Sequence, residues 1–173
     1  MLMDYGEKLD IGRIIIDNEI AMEKFIASID CRENKPECAR RLFEYSIGKG
    51  WQSFIIFNIN RRYLTSTSKK TLIAKTKNVV IHLIKDISEV DEAINMLSKT
   101  IWHKPYFHIV VCKAGANLSL TNCNQADLVM VDSIINDKML LYIDPVDDIL
   151  EIYGQEGYEQ IVREIFHQFS SGD

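Results

Sequence analysis

Two apolar periods take turns along this chain, and no other feature of the sequence constrains its fold as much. Continuous runs such as Ile14-Ile15-Ile16, Phe54-Ile55-Ile56-Phe57, Val79-Val80-Ile81 and Met139-Leu140-Leu141-Tyr142-Ile143 have the length and β-branched or aromatic content of buried strands. Between them lie apolar stripes at helical spacing, each able to form one face of a helix. Met22, Phe25, Ile26 and Ile29 make the first, with Asn18 as its N-cap. Ala39, Leu42, Phe43 and Ile47 make the second, opened by Pro36 and closed by Gly48 or Gly50. Val90, Ala93, Ile94, Leu97 and Ile101 follow, with Ser88 and Asp91 at capping-box spacing. Tyr158, Ile161, Val162, Ile165, Phe166 and Phe169 make the last.

The same pattern predicts strands over 13–17, 51–59, 78–84, 106–112 and 139–143, and a short edge strand over 149–153. Residues 60–77 and 113–125 read as polar loops, and 128–135 fits a helix or a strand equally well. Strand, helix, strand in this order predicts a three-layer α/β fold. Its core is a mostly parallel central sheet of about five strands with helices on both faces. No repeat or linker divides residues 1–173, so one domain is expected.

Composition narrows the function classes. Hydrophobic residues make up 47% and charged residues 26%, which excludes a disordered chain. The net charge of −5 disfavours a nucleic-acid partner, and the basic pairs Arg40-Arg41, Arg61-Arg62 and Lys69-Lys70 are isolated. No apolar run reaches the length of a membrane span, and residues 1–7 lack the pattern of a secretory leader. The expectation is therefore a cytoplasmic protein, or an extracellular one if the chain is an excised fragment.

A parallel sheet would gather ligands beyond the carboxyl ends of its strands. On that basis Asp17, Asp144, Asp147 and Asp148 are candidate Mg²⁺ ligands for phosphoryl chemistry, or else helix caps and turn residues. Lys113, Gly115, Asn117 and Arg61 are candidate anion contacts. Gly48-Lys49-Gly50 follows a helix and matches no phosphate loop; it reads as a helix C-cap. Ser66 and Lys69 have a Ser-x-x-Lys spacing, but in a polar loop. His108 and Cys112 share one strand face, yet an apolar strand should hold an inert thiol.

Cys31 and Cys38 flank a polar loop, and Cys112 and Cys123 bound another. Either pair could close a disulfide in an oxidising compartment; otherwise two are buried and two are loop thiols. Asn117-Leu118-Ser119 is a glycosylation sequon, relevant only outside the cytosol.

Residues 78–152 resemble the amino-terminal ectodomain of divergent insect ionotropic receptors. The shared order is a strand (Val79-Val80-Ile81), an amphipathic helix (Val90 to Ile101), a tryptophan–proline turn (Trp102 to Pro105) and a second apolar strand (Phe107 to Val111). Ile134-Ile135, Met139 to Ile143 and Asp147 to Tyr153 continue it. The resemblance implies ligand sensing or subunit assembly, with the paired cysteines bridged. The ligand-binding lobes and membrane helices of such a receptor are not in this chain.

Three function classes follow. The leading expectation is a non-catalytic ligand- or protein-binding regulatory domain, needing no cofactor, whose partner is a small molecule or a protein. The second is a Mg²⁺-dependent phosphate-ester hydrolase or phosphotransferase built on the strand-end carboxylates. The third is an assembly subunit, a homo-oligomer included, that adds the apolar edge at 149–153 to another sheet.

Overall fold

The computed structural model describes residues 24–58, 69–75, 79–103, 106–115, 119–120, 129–130, 139–154 and 157–170. Its elements run β1 (Lys24–Asp30), α1 (Lys35–Gly48), β2 (Trp51–Asn58), β3 (Leu72–Lys75), β4 (Val79–Ile84), a 3-10 turn (Ile87–Glu89) and α2 (Val90–Ser98). Then follow β5 (Phe107–Lys113), β6 (Ser119–Leu120), β7 (Val129–Met130), β8 (Met139–Val146), β9 (Ile149–Gly154) and α3 (Glu159–Ser170).

Seven strands form one sheet in the order β1-β9-β8-β5-β2-β4-β3, and every pairing is antiparallel. β6 and β7 form a separate two-stranded ladder. The expected mostly parallel sheet of about five strands is therefore overturned. Part of the crossover logic survives, because directions alternate along the sheet. Strands joined through a helix, β1 to β2 and β4 to β5, do run the same way. They are not neighbours, however: β2 is inserted between β4 and β5, and β9, β8 and β5 separate β1 from β2. Periodicity fixes strand direction across a helix but carries no information on which distant strand fills the gap.

The expectation of helices on both faces also fails for the described helices. α1 packs between α2 and α3 and onto β2, while α3 lies on β1, so all three share one face. Beneath them a row of side chains crosses the sheet in register: His82, Ile55, Ile109, Ile143, Ile152 and Ala27. The isoleucines of this row are almost fully buried against Leu42, Phe43, Leu97 and Phe166. Each such burial contributes roughly 1.5–3 kcal/mol. The second face carries another row, Leu83, Phe54, Val110, Tyr142, Tyr153 and Phe25.

Local departures have local causes. Residues 24–30, expected as a helix, form β1: Ala27 and Ile29 alternate with Ser28 and Asp30 at the strand period, and a bulge between Phe25 and Ala27 turns Phe25 to the other face. Residues 149–153 are strand as predicted, but β9 lies between β1 and β8, so it offers no free edge. The capping box opens the 3-10 turn that leads into α2 and starts at Asp86, earlier than the predicted Ser88. Its carboxylate accepts from Ser88 N (2.9 Å), and Glu89 Oε2 accepts from Asp86 N (3.1 Å). α1 ends as predicted: Lys49 N donates to Tyr45 O (3.1 Å) and Gly50 takes φ of 75°. Gly154 is needed for close approach, since a Cβ there would meet Leu140 O at 2.8 Å and Ile26 Cδ1 at 2.9 Å.

Candidate functional site

The second face of the sheet holds the chain's most concentrated buried polar chemistry. His108 on β5 and Asp144 on β8 are 4% and 5% exposed, and His108 Nδ1 hydrogen-bonds Asp144 Oδ1. Tyr142 Oη lies 2.9 Å from the same nitrogen, and its ring stacks on the imidazole at 5.8 Å. Next to it, Tyr153 Oη donates to Glu151 Oε2 (2.9 Å), and Glu151 sits opposite Asp144 in the β8–β9 register. A buried carboxylate must be held by donors, and the imidazole supplies one.

The thiol on the same strand is out of reach of this pair. Cys112 shares the face of His108, as predicted, but lies four residues along an extended strand, about 13 Å away. Burial pushes its thiol up to about 12, so it is inert. Asp144 is thus a structural partner of His108.

Asp147 and Asp148 lie elsewhere, in the two-residue turn between β8 and β9. Their carboxylates go to separate partners: Asp147 Oδ1 to His103 Nδ1 at 2.9 Å, and Asp148 Oδ1 to Lys35 Nζ at 2.6 Å. The Lys35 ammonium also stands 5.9 Å from the Trp102 ring. Asp17 lies outside the described residues. Asp144, Asp147 and Asp148 therefore do not converge, and among the described residues no group of His, Cys, Asp and Glu is arranged to hold a metal. Their expected alignment presumed parallel strands; in an antiparallel sheet successive strands end at opposite sides.

Of the proposed anion contacts, Lys113 closes β5 and Gly115 follows it. Arg61 and Asn117 lie outside the described residues. Lys113 is exposed, and Gly115 serves a turn with φ of 84°.

Cys31, Cys38 and Cys112 are free and buried, three where the reduced reading expected two. Cys123 lies outside the described residues, which leaves its pairing with Cys112 unplaced.

Sequence reasoning missed one surface. Among the described residues β1 is the end strand of the sheet, and beside it opens a cleft of about 230 Å³ lined by Ile26, Ala27, Ser28, Ile29, Glu159, Val162 and Arg163. Its floor is apolar, and Glu159 and Arg163 on α3 put opposite charges on its rim. Phe25, on the same strand, is 51% exposed. The signal was present in the β-branched and aromatic content of 24–30, but the helical spacing of the same residues concealed it.

Comparison with protein-family models, curated proteins and solved structures gave no match. Among the described residues, no helix is long and apolar enough to cross a membrane.

Proposed function

We propose that this chain is a non-catalytic protein-binding domain that assembles with a second copy of itself through the edge of β1. The observation that carries the reading is that edge: a seven-residue strand with an exposed Phe25 and an apolar cleft at its side. An edge strand presents a row of backbone donors and acceptors, and an added strand satisfies them.

Strand chemistry favours a second copy as the occupant. An antiparallel pair of β1 strands uses the same edge on both copies, so any match between them occurs twice about a two-fold axis and the surface is self-complementary. The bulge between Phe25 and Ala27 places Phe25, Ser28 and Asp30 of each copy together on the second face. Asp30 is exposed and already ionised at low pH: hydrogen bonds from the Arg32 side chain and backbone lower its pKa to about 2. Subunit assembly is also among the roles that the receptor-ectodomain resemblance of residues 78–152 implies. The hydrolase reading draws no support from the placed carboxylates, which are engaged by His108, His103 and Lys35.

Sedimentation equilibrium over a range of concentrations tests the proposal. The wild-type chain should show a monomer–dimer equilibrium. Phe25→Asp and Ser28→Asp each bring like charges onto the shared edge from both copies, and each should weaken the dimer by roughly 2- to 30-fold, from about 0.2–1 kcal/mol per cross-strand pair. A wild-type chain that stays monomeric at every concentration sinks the reading, and so does a dimer indifferent to both substitutions.

A further inference from the structure

Cys31 and Cys38 are brought together by two successive turns. Asn34 N donates to Cys31 O (3.0 Å), closing a tight turn after β1; Cys38 N then donates to Asn34 O (2.9 Å) in the first turn of α1. Both side chains are 0% exposed and belong to one core cluster, and the Cys31 thiol is hydrogen-bonded to Cys38. The backbone around them is anchored from a third element, because Cys31 N donates to Asp148 O (3.1 Å) in the β8–β9 turn.

We infer that Cys31 and Cys38 are a disulfide site, a structural cross-link between the end of β1 and the start of α1 that forms when the chain folds in the presence of a disulfide oxidant. The two side chains start from neighbouring turns of a fixed backbone and already touch, so closing the bond requires little rearrangement. The chemistry is thiol–disulfide exchange. One cysteine thiolate attacks a small-molecule disulfide and releases one small thiol as the mixed disulfide forms. The second cysteine, losing its proton, then displaces the other small thiol. Two cysteine thiols are oxidised, one small disulfide is reduced to two thiols, and no further reactant is required.

A catalytic role for the pair is disfavoured by its setting. The hydrogen bond to Cys38 and then burial hold the Cys31 thiol far above the ordinary range, so in the folded chain it supplies almost no thiolate. The bond therefore forms before the core closes and afterwards resists exchange, as a structural cross-link should.

Peptide mapping gives a direct test. The chain is refolded with oxidised and reduced glutathione, blocked with an alkylating agent in denaturant, and digested with trypsin without reductant. Cleavage after Lys24, Arg32 and Arg40, with Lys35 protected by Pro36, yields peptides 25–32 and 33–40, each with one of the two cysteines. The expected product is one species joining both, lighter than their sum by two hydrogens and separable by reduction. A Cys31→Ser, Cys38→Ser double variant should lose the reductant sensitivity of Tm that the oxidised wild type shows. The inference is overturned if both peptides are recovered separately and alkylated. It is equally overturned if Cys31 is joined to Cys112, Cys123 or glutathione.

Discussion

Among the described residues each face of the sheet buries one histidine, and the two are treated in opposite ways. On the helix-covered face, His82 lies under α2 among apolar neighbours. Its ring meets Phe57 edge-on at 5.8 Å, and its Nδ1 lies 2.9 Å from the neutral hydroxyl of Thr71. On the second face, His108 is held by the Asp144 carboxylate and stacked on Tyr142. One histidine is thus a polar exception within an apolar layer, and the other is the centre of a polar group. Apolar packing supplies most of the stability but tolerates many arrangements; a buried carboxylate–imidazole pair fixes which residue of β8 must face β5.

Breaking the polar group should have the largest effect. Asp144→Ala removes the carboxylate partner of a fully enclosed imidazole and should cost about 3–5 kcal/mol in urea unfolding. Replacing both partners, as in His108→Leu with Asp144→Leu, should recover part of that loss, because the imidazole and the carboxylate go together while the Tyr142 hydroxyl loses its contact with His108. A double variant as unstable as Asp144→Ala would show that the loss comes from packing and not from the stranded imidazole.

The apolar setting of His82 gives the second test, through pH. Burial lowers its pKa from 6.5 to about 4, with a smaller opposing pull from the Glu92 charge. As pH falls below 6.5 the unfolded chain takes up a proton that the folded chain refuses. Stability is therefore whole above about pH 7 and declines between 6.5 and 4, by roughly 3 kcal/mol at about 1.4 kcal/mol per pH unit. Asp30 and Asp86 have lowered pKa values, so their contributions fade only at more acidic pH. His82→Gln should flatten the decline between 6.5 and 4, and an unchanged slope would assign the effect to another group.

The contrast between the faces also explains what the sequence could disclose. Ile55, Phe57, Ile109 and Ile143 were readable as core from their runs, and α1, α2 and α3 from their stripes, because both patterns are local. Segment 24–30 was misread because Phe25, Ile26 and Ile29 suit either period over so short a stretch. The His108–Asp144 pair joins residues far apart in sequence, and only the β5–β8 register brings them together. Asp144 was selected as a strand-end carboxylate, so the residue was found for a reason the antiparallel sheet removes. The place of β1 at the end of the described sheet depends wholly on strand order, which no local pattern encodes.

The smallest effect concerns the turn that joins β8 to β9, next to the polar face. Asp147 and Asp148 have φ of 51° and 69°, the left-handed pair that a two-residue hairpin requires and that Asn-Gly adopts with least strain. Their side chains differ in what they return. Asp147 is 82% exposed, and its contact with the half-exposed His103 contributes little, whereas Asp148 binds Lys35 at 2.6 Å in a more sheltered setting. Asp147→Gly should therefore raise stability by about 0.5–1 kcal/mol, the relief of a left-handed residue less the added entropy of glycine. Asp148→Gly gains the same relief but loses the Lys35 pair, so its net change should lie near zero. Urea midpoints of the two variants decide the matter: equal gains at both positions would mean that the Lys35 pair contributes nothing and that strain alone sets the stability of this turn.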